Sequence, residues 1–502
     1  MKPSRYNIVY PYQFNKDYTV VYNTFKDSVG ILTTREAEFI KTCDRSLGIH
    51  YTKIDDFKKK GFIVDENTNE LAIVKVDYLK SKFDKRLLSV VIVPTYQCNL
   101  DCTYCYEKLS YSTEDHTIMS KHVQDTIYEG IKSRLHGVEK LAVFWHGGEP
   151  LLALDVVLEL GGRLQGLAKE KGIAFSSGMS TNGYLFTEDT AKKLYQIGIT
   201  HYKMSIDGCR ENHNIKKRQK DGGPTYDIIL NNIVKSADYF DEIDLRLNVD
   251  KEDISDAYEM MSLIEEKGLE NKVIPRLGKP QYFAAEENDL NFTKEEYMYE
   301  AIHYSLHQGV GPKKFSRKDC FCLIHQLYGI IVDGHGNLFK CISDTGDGQI
   351  CGSLKNDGTV ELNKNFYEHG IYNPTSIPAC EECKFLPICY GECGFDRNSE
   401  NPCTYQEVGD ENWSSLINAY VVKRMLNRLK VRGMLGKEEE TISIDDLIMG
   451  KLEGRMNEFI SKASDIYRLD NLIALGRKYG VALSEEDAAL LMQLMQPTEL
   501  IL

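Results

Sequence analysis

The sequence predicts an α/β fold: a closed or partly open (β/α)6 barrel of parallel strands, preceded by a small α+β unit and followed by a cysteine-rich region and a helical tail. Three observations predict it. Between residues 86 and 280 six apolar strand-like runs alternate with helix-length stretches, and strands joined by helical crossovers pair in parallel. Before residue 86 short β-rich stretches give way to short helices. Between residues 320 and 403 nine of the fourteen cysteines crowd into a glycine-containing region with few periodic segments, which needs staples other than an apolar core.

The first unit, residues 1–85, has strand-like runs at Tyr6–Tyr10, Thr19–Tyr22 and Val29–Leu32. Thr33 then caps a helix, with Glu36 completing a capping box. A second helix is expected over Lys53–Lys60, stopped by Gly61, and the alternation of Leu71–Val76 reads as a strand. This order suggests a winged-helix-like module. Residues 86–310 hold the barrel, with strands at Leu88–Pro94, Leu141–Trp145, Ala174–Thr181, His201–Ile206, Ile243–Val249 and Val273–Leu277. Helices are expected at His122–Leu135, Val156–Glu170, Glu188–Gln196, Tyr226–Ser236 and Ser255–Glu266. Chemistry in such barrels gathers at the C-terminal ends of the strands. Residues 311–410 form the cysteine-rich unit. Residues 411–502 read as helical, with Leu416, Ile417, Tyr420, Val421, Met425 and Leu429 at helical spacing and a last helix at Ala488–Met495 opened by Ser484 and Asp487. This tail is expected to pack on the barrel or the cysteine-rich unit, or to mediate dimerisation.

Composition narrows the function. A net charge of −14 on 502 residues argues against sequence-independent nucleic-acid binding. The longest apolar run, Leu87–Pro94, is far too short to span a membrane, and the N-terminus lacks the apolar core of a secretory signal. A cytoplasmic, reducing location follows, with no nucleic acid and no membrane as partner. Disulfides are rare there, so clustered cysteines point to metal.

The first strand runs into Pro94-Thr-Tyr-Gln-Cys98-Asn-Leu-Asp-Cys102-Thr-Tyr104-Cys105-Tyr-Glu, a C-x3-C-x2-C spacing. Three thiolates in one loop can hold three irons of a [4Fe–4S] cube and leave the fourth open to a chelating ligand. A zinc knuckle is the alternative, but zinc usually takes a fourth protein ligand and no His or Cys lies just beyond Cys105. The motif resembles that of the radical S-adenosylmethionine (SAM) enzymes, with Tyr104 in the aromatic place. Trp145-His-Gly147-Gly148-Glu149-Pro150 looks like their GGEP segment, which takes the SAM amino group. Ser180-Thr-Asn182-Gly and Ser205-Ile-Asp207-Gly look like their ribose and carboxylate contacts. The basic partner of the SAM carboxylate falls on Lys217 or Arg218. The resemblance implies a TIM-like partial barrel, with SAM as cofactor and Cys98, Cys102 and Cys105 as the catalytic iron ligands.

The later cysteines read Cys322, thirteen residues, Gly336-x4-Cys341, a gap, Cys380-x2-Cys383-x5-Cys389-x3-Cys393, a gap, Cys403. This resembles the SPASM module, which implies two auxiliary [4Fe–4S] clusters and three in all. One would use Cys322, Cys341, Cys351 and Cys393, the other Cys380, Cys383, Cys389 and Cys403. Cys320 also fits the first position, and Cys351 either closes the first auxiliary cluster or leaves it open to a substrate thiolate. Two four-cysteine zinc sites are the alternative, since C-x2-C is a zinc spacing too.

SPASM enzymes mostly modify peptides or proteins, and the first unit resembles the leader-peptide recognition element of ribosomal-peptide maturases, which takes the leader as an added strand. The phrases PTYQCNLDCTYCYE and KPSRYN resemble maturases of cysteine-rich, bacteriocin-like peptides. The resemblance therefore implies a sactisynthase-like oxidoreductase: a 5′-deoxyadenosyl radical takes one hydrogen atom, an auxiliary cluster accepts a second electron, and a cysteine thiolate closes a thioether. The partners implied are a precursor peptide and a flavodoxin or ferredoxin. The alternatives are a protein-modifying relative such as an anaerobic sulfatase (formylglycine) maturase, a ranthipeptide or carbon–carbon crosslinking maturase, and, from another class, a zinc-stapled binding protein. Cys43 reads as a small buried hydrophobe in the first helix, and His146 as structural. Cys209, beside the expected SAM site, carries no strong signal of a role. The twelve histidines show no pair of the metalloprotease kind.

Overall fold

The computed structural model describes residues 1–13, 15–105, 117–280, 292–308, 322–343, 345–355, 357–391, 403, 405 and 408–431. Cys320, Cys393 and the expected helix Ala488–Met495 lie outside the described residues.

The chain opens with β1 (Lys2–Pro3) and an antiparallel meander of β2 (Asn7–Pro11), β3 (Tyr18–Asn23) and β4 (Ser28–Thr33). Thr33 and Glu36 form the capping box that starts α1 (Thr34–Thr42). Cys43 is the left-handed C-cap of that helix, at φ 56°, and is only half-buried, rather than lying inside the helix. Then come α2 (Tyr51–Lys59), β5 (Ile63–Val64), which pairs with β1, and α3 (Glu70–Lys82). Leu71–Val76, expected as a strand, lies inside α3. Asn69 caps that helix by accepting from Ala72 N at 3.0 Å, and Glu70 is buried, accepting from the Ser4 hydroxyl at 2.6 Å. Val74, Tyr78 and Lys82, four residues apart, share its buried face. Apolar residues on the opposite face as well had imitated strand alternation.

The barrel strands are β6 (Leu87–Ile92), β7 (Lys140–Trp145), β8 (Ala174–Ser180), β9 (Ile199–Ile206), β10 (Glu242–Asn248) and β11 (Val273–Gly278). They lie side by side in chain order, every neighbouring pair parallel. Between them run α4 (Lys121–Lys132), α5 (Leu154–Lys171), α6 (Glu188–Gln196), α7 (Arg210–Lys216), α8 (Tyr226–Lys235) and α9 (Ile254–Glu266). Ser120 and Thr187 cap α4 and α6. Leu88, Val90, Leu141, Trp145, Leu160, Leu164, Ile206 and Leu245 belong to the continuous core between sheet and helices. The unpredicted α10 (Lys294–His307) packs behind β11, where Tyr297 donates to Leu277 O at 2.9 Å.

The barrel is open, and its sheet continues past β6. There β12 (Ile330–Val332) pairs in parallel with β6, and β13 (Asn337–Phe339), β14 (Gly352–Leu354) and β15 (Val360–Leu362) follow antiparallel, giving ten strands. The cysteine-rich segment thus shares a sheet with the barrel. It continues through α11 (Lys364–Ile371), α12 (Pro378–Glu381) and α13 (Leu386–Cys389). Finally α14 (Gly409–Val431) packs on α10 of the barrel unit and on the cysteine-rich unit, where Trp413 meets the Phe385 ring at 4.6 Å, in line with the expectation for the tail, and also on the N-terminal sheet, which was not expected. The reason is complementary apolar area: Trp413, Leu416 and Ile417 meet Ile8, Val20, Tyr22 and Ile302. Asn418 donates to Pro11 O and accepts from Gln13 N, both at 3.1 Å. Among the described residues no helix is long and apolar enough to cross a membrane.

Candidate active site

The loop after β6 carries Cys98, Cys102 and Cys105 across the C-terminal ends of the barrel strands, and this chain holds it from four sides. On the β7 side Gly148 N donates to Thr95 O at 3.3 Å and Glu149 N to Gln97 O at 2.7 Å. The two glycines make this possible. A Cβ on Gly147, at φ 134°, would stand 2.3 Å from Thr95 O, and one on Gly148 2.3 Å from Tyr96 O. On the far side Asp101 N donates to Arg218 O at 2.8 Å and Thr103 N to Lys216 O at 3.0 Å. At the end of β8, Asn182 Nδ2 donates to Asn99 Oδ1 at 2.9 Å and faces Cys98 Sγ at 3.8 Å. Beneath the loop Tyr104 donates its hydroxyl to Asp207 Oδ2, and Asn248 Nδ2 donates to Asp207 Oδ1 at 2.9 Å and to the Tyr104 oxygen at 3.2 Å.

The predicted contact residues therefore gather at the ends of β7, β8 and β9, with distinct jobs. Glu149 is fully buried, and its carboxylate accepts from Leu151 N at 3.0 Å, the Thr181 hydroxyl at 2.8 Å and Asn182 N at 2.7 Å. It braces β7 against β8. Asp207, also fully buried, braces the cysteine loop against β10. Ser180 is half-buried at the end of β8. Lys217 turns inward, its ammonium on Ser205 O at 2.6 Å and Ser205 Oγ at 2.7 Å, while Arg218 points out to Asp101 at 3.6 Å. Of the two basic candidates, Lys217 is the one buried against the end of β9.

The electrostatics follow from burial. Burial pushes the Cys102 thiol up to about 12, opposed by the Lys217 ammonium and reinforced by Asp207. The Glu149 and Asp207 carboxyls are raised for the same reason, the hydrogen bonds and Lys217 pulling the other way. His213 is driven down to about 3 by burial, then by Lys217. Its Nδ1 accepts from Asp207 N at 3.1 Å, and its Nε2 lies 2.9 Å from the Thr225 hydroxyl. His213, Thr225, Asn99 and Asn248 had no place in the sequence reading. For Asn248 a signal existed, since it ends a barrel strand; for His213 there was none. His146 is buried beside Gly147, and Cys209 is the N-cap of α7, its backbone N–H on Asp256 at 2.7 Å.

Three partly buried thiols in a docked loop, one of them within the field of an ammonium, fit an iron–sulfur cube with an open iron. In the cysteine-rich region Cys380, Cys383, Cys389 and Cys403 line one cavity with Ala379, Leu386 and Gly391. Two single-turn helices, α12 and α13, each entered through a proline, bring the first three there. Among the described residues no three His, Cys, Asp or Glu side chains stand close enough to share one metal ion. Of the other set, Cys351 is buried and hydrogen-bonded through its backbone N–H to Leu338 O at 2.7 Å; Cys341 is half-buried and Cys322 exposed.

Strand order, cysteine loop and strand-end residues define a radical SAM fold, and residues 92–264 match the Radical SAM superfamily model. The chain is 28% identical over 176 residues to the Fe-coproporphyrin III synthase of Methanosarcina barkeri, spanning 40% of that protein and 34% of its own length. It is 24% identical over 356 residues to a cysteine-type anaerobic sulfatase-maturating enzyme of Clostridium perfringens, spanning 90% of that protein and 62% of itself. Its fold is similar to the solved structure of native anSMEcpe with bound AdoMet and Cp18Cys peptide, with a TM-score of 0.52 at 20% identity, covering 69% of this chain and 99% of the other.

Proposed function

We propose that this chain is a radical SAM oxidoreductase that matures a peptide or protein substrate, forming a cysteine sulfur-to-carbon thioether in the manner of a sactisynthase. The observation that carries the maturase reading is the pairing of a docked three-cysteine loop with a second, four-cysteine cavity in the same chain. Bound SAM and the triad's cluster would supply a 5′-deoxyadenosyl radical for hydrogen abstraction. The chain's own residues do the rest. Cys98, Cys102 and Cys105 hold the cluster. The backbone of the Gly147–Gly148 turn and the side chains of Ser180 and Ser205 line the place for SAM, and Lys217 supplies the buried cation for its carboxylate. Glu149, Asp207 and Tyr104 hold these parts in register.

Forming the thioether removes two electrons and two hydrogens from the substrate. One hydrogen atom would leave on 5′-deoxyadenosine, one proton would leave the thiol, and an auxiliary centre held by the later cysteines would take the second electron. A second reading is favoured by the similarity to the sulfatase-maturating enzyme over 90% of its length: oxidation of a protein cysteine to formylglycine. Co-expression with a short cysteine-rich peptide encoded next to this chain, followed by mass spectrometry, decides between them. Loss of two hydrogens per crosslink is expected; loss of sulfur with gain of oxygen would support the second reading, and an unchanged mass would count against crosslinking. Anaerobically purified protein is expected to hold about twelve irons per chain, three cubes of four.

A further inference from the structure

Two lysines are buried where the cysteine-rich segment meets α3. Lys340, between β13 and Cys341, is 3% exposed, and so is Lys82 at the end of α3. Among the described residues both ammonium groups hydrogen-bond to carbonyl oxygens alone. Lys340 reaches Gln326 O, and Gly329 O at 2.7 Å; Lys82 reaches Tyr372 O at 2.6 Å. No Asp or Glu among the described residues stands opposite either. The Lys82 charge adds to the cost of burying Lys340, since like charges repel in a low dielectric. A buried cation without a counter-ion is costly, so a nearby anion is to be expected.

The groups that could turn negative around Lys340 are thiols: Cys341 follows it in the chain, Cys351 donates its backbone N–H to Leu338 O of β13 at 2.7 Å, and the Gln326 carbonyl that Lys340 reaches lies four residues after Cys322. Lys340 also stands 5.6 Å from the centre of the Phe366 ring and Lys82 5.8 Å from that of Tyr78, contacts worth less than a full counter-charge. A thiolate-bound [4Fe–4S] centre carries net negative charge, which grows by one on reduction, and charge near such a centre sets its potential. The donor set and the buried cations fit one another.

We infer that Lys340, backed by Lys82, is the built-in counter-charge of the first auxiliary cluster and holds its reduction potential up, which suits that cluster to accept an electron. This rests on the proposed reading that the Cys322, Cys341 and Cys351 set binds a cluster. Lys340 is a positioning charge and touches no substrate.

The test is an EPR-monitored redox titration of the reconstituted full-length protein, with iron analysis alongside. The signal of this centre is the one lost in Cys341→Ser. In Lys340→Met its midpoint should move to more negative potential by a tenfold or larger change in the one-electron equilibrium, about 59 mV. The other two clusters should stay in place. Lys340→Arg should restore it, and Lys82→Met should shift it the same way by less. An unmoved midpoint in Lys340→Met would overturn the proposal while leaving the cluster reading intact. Wild-type protein whose iron content is the same with and without Cys341→Ser would overturn the reading itself. If Lys340→Met loses this centre's irons, retention in Lys340→Arg supports the charge role, and loss in both overturns it.

Discussion

Residues Tyr104 and His213 show how the site is assembled from groups that do no chemistry. Tyr104 and Asn248 satisfy the two oxygens of a fully buried Asp207, and the Asp207 backbone N–H finds the Nδ1 of His213. Removing one partner of a buried carboxylate leaves a desolvated acceptor and costs roughly 1–3 kcal/mol. Tyr104→Phe should therefore loosen the cysteine loop from β9 and β10. Iron release from the reconstituted protein to a chelator is expected to quicken, the first four irons per chain leaving early. His213 makes a pH prediction. Its pKa is about 3 in the fold against 6.5 in the unfolded chain. Below pH 6.5 the unfolded chain takes up a proton that the fold refuses, so stability is level above that pH and declines as pH falls toward 3. The slope approaches about 1.4 kcal/mol per pH unit for this one group. Denaturant unfolding from pH 7.5 to 5 should show the decline, and His213→Asn should flatten it.

At the scale of elements, the glycine pair after β7 is explained by a neighbouring chain segment. Gly148 has carbonyl oxygens of Tyr96 and Gln97 where a Cβ would stand, at 2.3 and 2.4 Å. Gly148→Ala should push the cysteine loop off its bed at a cost of about 1–3 kcal/mol. Iron analysis is expected to show loss of the triad's cluster, with the Cys380–Cys403 set still loaded. The sequence already placed the six barrel strands and five of their helices, because each is a long apolar run bounded by caps and glycines. It misread α3, since a helix apolar on two faces has no clean period of either kind, and the faces differ only in what covers them. It also missed β13 to β15, three residues each, too short to carry a pattern.

At the scale of the molecule, segments 407 residues apart meet. α14 lies on the β2–β3–β4 sheet, and Asn418 ties it to Pro11 and Gln13. Asn418→Ala should cost about 1–3 kcal/mol and lower the denaturant midpoint of the whole protein. Replacing Cys98, Cys102 and Cys105 together by Ser should abolish SAM cleavage while about eight irons remain, the two auxiliary cubes. Loss of all iron in that variant would mean that the clusters are not independently held.

The alternation of strands and helices, the three-cysteine loop and the cysteine spacing were legible without coordinates, because local spacing and period encode them; the GGEP and SIDG turns were legible through their resemblance to a family. Which of Lys217 and Arg218 enters the site was not, since adjacent residues differ only in the direction their side chains leave the backbone. The internal hydrogen bonds of Glu149 and Asp207 were hidden for a related reason: the sequence does not record which donors reach a carboxylate. Only the tertiary structure brings Thr181, Asn182, Tyr104 and Asn248 to those oxygens, and Cys380, Cys383, Cys389 and Cys403 around one cavity. Contacts between residues far apart in the chain are decided by the packing of whole elements, and no local pattern records them.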